Sequence, residues 1–491
     1  MALYPMRYIA RVVLEARTPL FVGSGSGSLV KDAVVATDAY GFPYIPGTSL
    51  CGVIRHALED TAEDASVWKE IFGYADKKSG KGAKLRVSSA YLVLENEVPA
   101  LDNVEKYEGL AAKHFRYLPT RNHVRINHRG VAMDKGLFDN EVVYKGCRFV
   151  AELEMRGDKA DQPNWEKVLD VLRASTFRVG HGTRRGYGRL AAIYLEDHRF
   201  DLRVDADFDA YLNYNPSFCP VVAPERLPQL KQQSCPPSEG EAMHYQLVLK
   251  PESFFFFGSG QADEEVDDVP VAEHTVYYDD HNCIHFSEKP QYLIPGSSIK
   301  GALRHRTCYH FNLLKERYAE VFANSPLEKI VVEGMNSAVY ALFGLEGGTK
   351  LEHIDHDGFL EADDNAARTG RRGVVLVDDL FIYMALDTHI FNHVAIDRFT
   401  GGPIDGALYA EKATYLTDEL GEVHIDIHVV PFEAREKELI EQAFEMALMD
   451  VCRGLLPLGG LTTKGHGVFV GQLWKNGQKI FDYEQAIASA K

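Results

Sequence analysis

Two short stretches combine glycine and cations in a pattern suited to holding phosphate. The first is Gly180-His181-Gly182-Thr183-Arg184-Arg185-Gly186-Tyr187-Gly188-Arg189; the second is Gly459-Gly460-Leu461-Thr462-Thr463-Lys464-Gly465-His466-Gly467. Glycines permit positive φ and close backbone approach. Successive amides can form an anion-binding nest, and Arg184, Arg185 and Lys464 add charged donors. Neither stretch is a P-loop or a dinucleotide fingerprint, because each is entered from a helical pattern and left by a strand. For one copy, a tight helix-to-strand turn with solvated arginines is the simpler reading. Recurrence in the same context favours phosphate.

Other groupings carry chemistry of their own. Lys300 and Arg304 stand at i and i+4, on one helical face; Arg55 occupies the place of Arg304, and Cys51 replaces Lys300. The run Arg121-Asn122-His123-Val124-Arg125-Ile126 interleaves cations with apolar residues. His353-Ile354-Asp355-His356-Asp357 has metal-ligating types but no helical spacing, and reads as a polar loop. Acidic residues gather at Asp263–Asp268, which is either a metal site or a solvated face.

The elements that must position these groups follow from periodicity. Arg7–Gly23 reads as a strand, and Thr48 or Ser49 is placed to cap a helix running towards Asp60. Asn96–Gly146 is long and poor in apolar periodicity, as for a functional loop or hairpin. Cys147–Met155 reads as a strand. Trp165, Val168, Leu169 and Leu172 form an amphipathic helix, and Leu190–Leu195 is a strand after the glycine loop. Tyr214–Glu241 carries six prolines and is the linker.

The second half repeats this order. Leu293-Ile294-Pro295-Gly296-Ser297-Ser298-Ile299-Lys300-Gly301-Ala302-Leu303-Arg304 matches Ile45–Arg55; Leu342-Phe343-Gly344 matches Ile71-Phe72-Gly73; Asn392–Ile396 matches Asn122–Ile126, bringing His393 to the place of His123; and the glycine loops match. The offsets are 249, 271, 270 and 279, in unbroken order, which marks a tandem duplication. The domains are therefore 1–205, a proline-rich linker 206–241, and 242–491 with an insertion around 346–373. Each half's order is compatible with the β-α-β-β-α-β ferredoxin-like unit, so the expected fold class is α+β.

A chain of 491 residues is long enough for two to four domains. Seven cysteines without a CxxC pair argue against a disulfide framework and against a cysteine zinc site. No apolar run reaches membrane-span length and the start lacks a signal peptide's apolar segment, so a cytoplasmic protein with no membrane partner is expected. The formal net charge of −18 opposes nucleic-acid binding by the chain as a whole. Locally it does not: Leu172–Leu195 holds five arginines and no acid.

The paired glycine loops and the doubled Ile-Pro-Gly-[Ser/Thr]-Ser-x-x-Gly-x-x-Arg block resemble the RAMP superfamily of CRISPR proteins. The doubled block resembles in particular the backbone subunits of type III effector complexes. The run Asn122–Phe138 resembles them too. The departure is that two units are fused in one chain. The resemblance implies two modified RNA-recognition (ferredoxin-like) domains, each with a β-hairpin thumb, which bind a CRISPR guide RNA beside other subunits of the complex. It also implies metal-dependent cleavage of complementary target RNA, by an aspartate in the loop after each first strand. On that pattern the cleavage residues are Asp32 in Asp32-Ala33-Val34-Val35 and Asp268 in Asp268-Val269-Pro270-Val271, with Asp267 adjacent. Asp32 and Asp268 would hold Mg²⁺ or another divalent cation, with no organic cofactor.

RNA contacts are expected from Ser49, Arg55, Arg121, His123, Arg125, Gly180, Gly182, Arg184, Arg185, Gly186 and Gly188 in the first half. In the second half they are Ser298, Lys300, Arg304, His393, Gly459, Gly460, Lys464, Gly465 and Gly467, with a weaker grip where Asp397 and Arg398 replace Asn127 and His128. A scaffold without catalysis in one or both halves, and a guide-processing endoribonuclease of the same superfamily, are the alternatives.

Overall fold

The computed structural model describes residues 4–25, 27, 31–60, 66–75, 79–94, 110–126, 131–215, 217–218, 242–318, 336–345, 370–418 and 421–490. The His353–Asp357 cluster, Asn127, His128, the proline-rich residues from 219 and most of the 346–373 insertion lie outside these.

In the first half, β1 (Met6–Ala16) leads through α1 (Gly47–Asp60) to the short strands β2 (Leu85–Val87) and β3 (Ala90–Leu92). A separate hairpin follows, β4 (Thr120–Ile126) and β5 (Ala132–Glu141), then β6 (Arg148–Gly157), α2 (Gln162–Arg173) and β7 (Leu190–Asp201). The sheet order is β7-β1-β6-β3, with β2 also on β6, all antiparallel. The helix α3 (Asp205–Leu212) occupies the start of the stretch expected as linker.

The second half runs β8 (Met243–Pro251), a small hairpin β9 (Val276–Tyr278) and β10 (Ile284–Phe286), α4 (Gly296–Leu314) and β11 (Val375–Val377). It continues with a long hairpin β12 (Leu386–Ile396) and β13 (Pro403–Leu416), then β14 (Val423–Val429), α5 (Lys437–Cys452), β15 (Phe469–Lys475) and β16 (Gln478–Asp482). Its sheet order is β11-β14-β8-β15-β16. Both halves are therefore mixed α/β units with the same strand order around the first strand.

The cores repeat as well. Alternate residues of β1 and β8 face the helix pair, as period-2 geometry demands. Tyr8 meets Trp165 of α2 at a ring separation of 5.8 Å, and Tyr245 meets Phe444 of α5 at 5.7 Å. The outer face of β1 is also covered: Val13, Val93, Val150 and Tyr194 form a second cluster, and the guanidinium of Arg11 lies 4.5 Å from the Tyr214 ring while pairing with Glu152 at 2.9 Å.

Helix capping differs from expectation. α1 begins at Gly47, so Thr48 and Ser49 lie inside the first turn. The cap comes from the turn after a short strand: Ser89 Oγ accepts from the Gly47 amide at 3.2 Å, and Asp379 Oδ1 accepts from the Gly296 amide at 2.8 Å. The Pro-Gly of both blocks has a steric reason. A Cβ on Gly47 would stand 2.4 Å from the Val87 carbonyl oxygen, and one on Gly296 would stand 2.5 Å from that of Val377. Among the described residues, no helix is long and apolar enough to cross a membrane.

Candidate nucleic-acid interface

The glycine loops hold the fold first. Gly180 and Gly459 adopt φ of 93° and 92°, and a Cβ on either would stand 2.3 Å from a carbonyl oxygen, of Phe21 and Phe256 respectively. Those same oxygens accept from the amides of His181 and Gly460, both at 2.7 Å. The amides of Gly188 and Gly467 donate to Pro19 and Phe254, each at 2.8 Å. The amides of Arg185, Tyr187, Lys464 and Gly465 are likewise taken by backbone carbonyls within the loops. The loops are thus tied into the fold at these amides, and beside their backbone they offer a ligand their cations. Gly180→Ala is expected to cost about 1–3 kcal/mol through the forced left-handed conformation and the Phe21 clash, as read by urea unfolding.

These cations converge between the two halves. Arg184 Nε donates to the Gly373 carbonyl at 2.6 Å. Burial pulls the Arg184 guanidinium down to about 9, and Arg372 and Arg178 push the same way. Lys300, one helix away, donates to the Val375 carbonyl at 2.9 Å. Burial, then Arg184, Arg178 and Arg185, bring it down to about 7. Arg304 is lowered by burial, with Arg125 of the first hairpin adding repulsion. Like charges enclosed together disfavour their own charged forms. An anion placed among them would relieve the repulsion.

Other expected RNA contacts sit differently. Arg121 does not reach the surface: it is buried between Glu273 and Asp379, with Nη2 2.8 Å from Glu273 Oε2. Arg55 pairs with Glu59 at 2.8 Å on the helix surface. Ser49 and Ser298 are both half-buried in the first turns of their helices.

His123 stacks on Phe138 at 4.9 Å and meets the Tyr187 hydroxyl at 2.8 Å. Burial, then Arg121 and Arg185, lower its pKa to about 4, so it is neutral. Arg185 lies 5.1 Å from the same Phe138 ring. The second half rebuilds this stack: His393 on Tyr409 at 4.9 Å, with Lys464 4.6 Å from that ring. Here a carboxylate joins: Glu411 Oε2 accepts from Lys464 at 3.0 Å and lies 2.9 Å from His393 Nε2.

The hairpins carry exposed apolar residues at matching positions. Val124 faces Leu137 across the first ribbon and Val394 faces Leu408 across the second. Leu137 and Leu408 are 73% and 74% exposed.

The aspartate loops dock against the returning strands of these hairpins. Asp32 Oδ2 accepts from the Asp139 amide at 3.0 Å, and Asp139 Oδ1 accepts from the Asp32 amide at 2.8 Å. In the second half, Asp267 Oδ2 accepts from the Ala410 amide at 2.8 Å. The backbone ladder fixes which residues correspond. Ser24 donates to Val34 and Ser259 to Val269; Ala36 donates to Val22 and Val271 to Phe257; Glu141 donates to Ala33 and Lys412 to Asp268. The counterpart of Asp32 is therefore Asp267, and Asp268 stands at the place of Ala33. This corrects the sequence alignment by one residue. Asp268 is half-buried; burial raises its carboxyl, the Gly260 amide works against this, and Glu411 adds to it. Among the described residues, no three metal-ligating side chains come together.

No curated protein matches the sequence. Among solved structures, the chain is similar to a chain of the cryo-EM structure of type III-B Cmr-β in the apo state. Identity is 16% and the TM-score 0.31, over 40% of this chain and 98% of that one. It is similar also to a chain of the cryo-EM structure of type III-B Cmr-β bound to cognate target RNA, with 15% identity and a TM-score of 0.31, over 38% of this chain and 96% of that one. The family model of the RAMP superfamily matches residues 13–191 and again residues 286–470. Those two regions make up most of the chain and fall one in each half: the chain belongs to the RAMP superfamily, and carries its fold twice.

Proposed function

We propose that this chain is a two-unit backbone subunit of a type III CRISPR ribonucleoprotein. It holds guide RNA and cleaves complementary target RNA at one site per unit. In this reading each half is a ferredoxin-like domain whose long hairpin is a thumb. The observation that carries it is the doubled arrangement of an aspartate loop docked, in identical register, on a hairpin strand that carries an exposed leucine two residues before the docking point. An exposed leucine on the side of the thumb, Leu137 or Leu408, can wedge between bases, which leaves the adjacent phosphodiester displayed near Asp32 or Asp267. Guide phosphates occupy the cation cluster of Arg184, Arg185, Lys300, Arg304 and Arg125, because enclosed like charges gain most from a bound anion.

The carboxylates suit a hydrated Mg²⁺, which takes one or two protein carboxylates and fills its shell with water and phosphate oxygens. Asp32 with Asp139, and Asp267 with Asp268, would hold it. When bound, the ion supplies charge stabilisation at the scissile phosphate. The aspartates orient the attacking 2′-hydroxyl and accept its proton as its oxygen bonds to phosphorus; the bond from phosphorus to the 5′-oxygen breaks, and the 5′-oxygen leaves with a proton from solvent water. The test is a cleavage ladder on guide-matched RNA with the assembled complex, with and without Mg²⁺. Two cuts assigned to this chain are expected, and both depend on the metal.

One observation favours a second reading, a scaffold without catalysis in one or both halves. Asp32 and Asp267 already accept backbone amides of the hairpin, a structural duty in itself. Cuts that survive both aspartate variants would select it.

Lys300 provides an independent check on guide binding. Its pKa of about 7 rises when a phosphate arrives, so above neutral pH binding must take up a proton. Calorimetry at about pH 8 in buffers of different ionisation enthalpy is expected to show uptake approaching one proton per chain. Affinity should weaken as pH rises from about 7 to 9. No uptake would mean that phosphate does not meet Lys300.

A further inference from the structure

The face where the two units meet is held by charges that occur once. Three arginines of the first unit meet three carboxylates of the second. Arg121 lies between Glu273 and Asp379, and Asp378 forms ion pairs with Arg178 at 2.5 Å and with Arg189 at 2.7 Å. Burial raises the Asp378 carboxyl, but Arg178 and Arg189 outweigh it and hold it below the usual range. Gly186 fits against this junction because it lacks a side chain: a Cβ there would stand 2.0 Å from Asp379 Oδ1.

The duplication shows what the same positions hold on the chain's two outer faces. The hydrogen-bond registers equate Arg121 with Phe391, Arg178 with Pro457 and Arg189 with Val468. They equate Glu273 with Asp38, Asp378 with Ser88 and Asp379 with Ser89. The second unit's outer face thus has no cation at the three positions. The first unit's outer face keeps one acid, Asp38, whose carboxylate accepts the Tyr40 and Phe42 amides of its own turn. At Gly465, the counterpart of Gly186, nothing lies within 4 Å of the Cβ position.

The hairpin β9–β10 is a second, independent difference. It lies in the eighteen residues between Glu273 and Tyr292, where the first unit has four, between Asp38 and Pro43. It reaches into the first unit: Val276 and Ile284 belong to that unit's core, the Tyr278 hydroxyl donates to the Val93 carbonyl at 2.9 Å, and Phe286 stacks on His114 at 4.1 Å. The first unit has no such hairpin to offer a neighbour.

We infer that the junction is a keyed, single-use interface. The arginine face of the first unit accepts only the acidic, hairpin-bearing face of a second unit, so the chain does not stack head to tail with copies of itself. A heterologous contact between repeated units propagates into an open array unless its two faces differ. Here they differ by charge and by an inserted hairpin, and the chain is a two-unit block with dissimilar ends. Buried ion pairs are best attested as devices of specificity of this kind.

Two full-length variants test it. One carries Arg121→Gln, Arg178→Gln and Arg189→Gln; the other carries Glu273→Gln, Asp378→Asn and Asp379→Asn. Each alone is expected to remain a single chain in sedimentation velocity, with a radius of gyration larger than wild type in X-ray scattering. Mixed, the intact arginine face of one and the intact acidic face of the other should pair in trans as a 1:1 dimer. Unmodified chain should stay single at every concentration. Variants as compact as wild type, a mixture that stays as single chains, or wild-type chain that concatenates would each overturn the inference. Circular dichroism matching wild type shows that both variants are folded; if either is not, the wild-type sedimentation arm still decides.

Discussion

Replacing Asp32 with alanine is expected to abolish one of two neighbouring cuts in guide-matched target RNA, and Asp267→Ala the other. Each loss should be on the order of a hundred-fold or more, the usual contribution of a positioned acid–base group. Guide binding should be unchanged in both. Asp268→Ala separates register from mere acidity. Asp268 stands where the first unit has Ala33, and its carboxylate is turned towards the Gly260 amide and Glu411. It should therefore lower the second cut less than Asp267→Ala does. The readout is a denaturing-gel ladder at fixed Mg²⁺ with the assembled complex. If Asp268→Ala removes the second cut and Asp267→Ala spares it, the ladder of backbone hydrogen bonds is not what places the chemistry.

The other large effect concerns the cation cluster. Lys300→Met with Arg184→Gln is expected to weaken guide binding by about 1.5–3 kcal/mol per lost charged contact. The slope of log K against log salt should fall by about 0.7 for each phosphate released. Stability should move the opposite way. The unfolded chain holds the Lys300 proton up to its ordinary value of 10.5, whereas the folded chain releases it above about 7. Between those values the unfolded state binds more protons, so wild-type stability gains from rising pH at this group. Lys300→Met removes the burial penalty, and its gain should be largest below about pH 7 and fade towards 10.5. Thermal denaturation across that range reads it. A variant that binds less and melts higher identifies a group retained for its ligand rather than for the fold.

How much of this was legible in the sequence depends on the distance over which each feature is decided. The duplication, the two helices that face the sheet, and the glycine loops follow local periodicity and composition, and the structure holds them where the pattern placed them. The partition of Lys300 and Arg304 onto one helical face was also local. Arg121 was not legible. Its partners stand 152 and 258 positions away, and an arginine in a polar run looks like surface until the junction closes over it. The correspondence of Asp32 with Asp267 was hidden by two adjacent aspartates, either of which satisfies the motif. In extended backbone a one-residue slip turns a side chain to the opposite face. Only the hydrogen-bond ladder could choose between them. The helix caps failed for a related reason: Gly47 and Gly296 take theirs from Ser89 and Asp379, which no local window contains.

The hairpin that carries Val276 and Ile284 has a consequence for how the chain is made. Those residues complete the core of a unit whose own last strand ends at Asp201. During synthesis the first unit therefore emerges with an unfilled socket beside His114, Phe115 and Tyr144, and waits for a segment of the next unit to close it. Domains made on the ribosome usually fold one after another from the N-terminus. Here the first cannot finish until the second has begun, and a nascent chain stopped near residue 205 should expose that socket to chaperones and proteases.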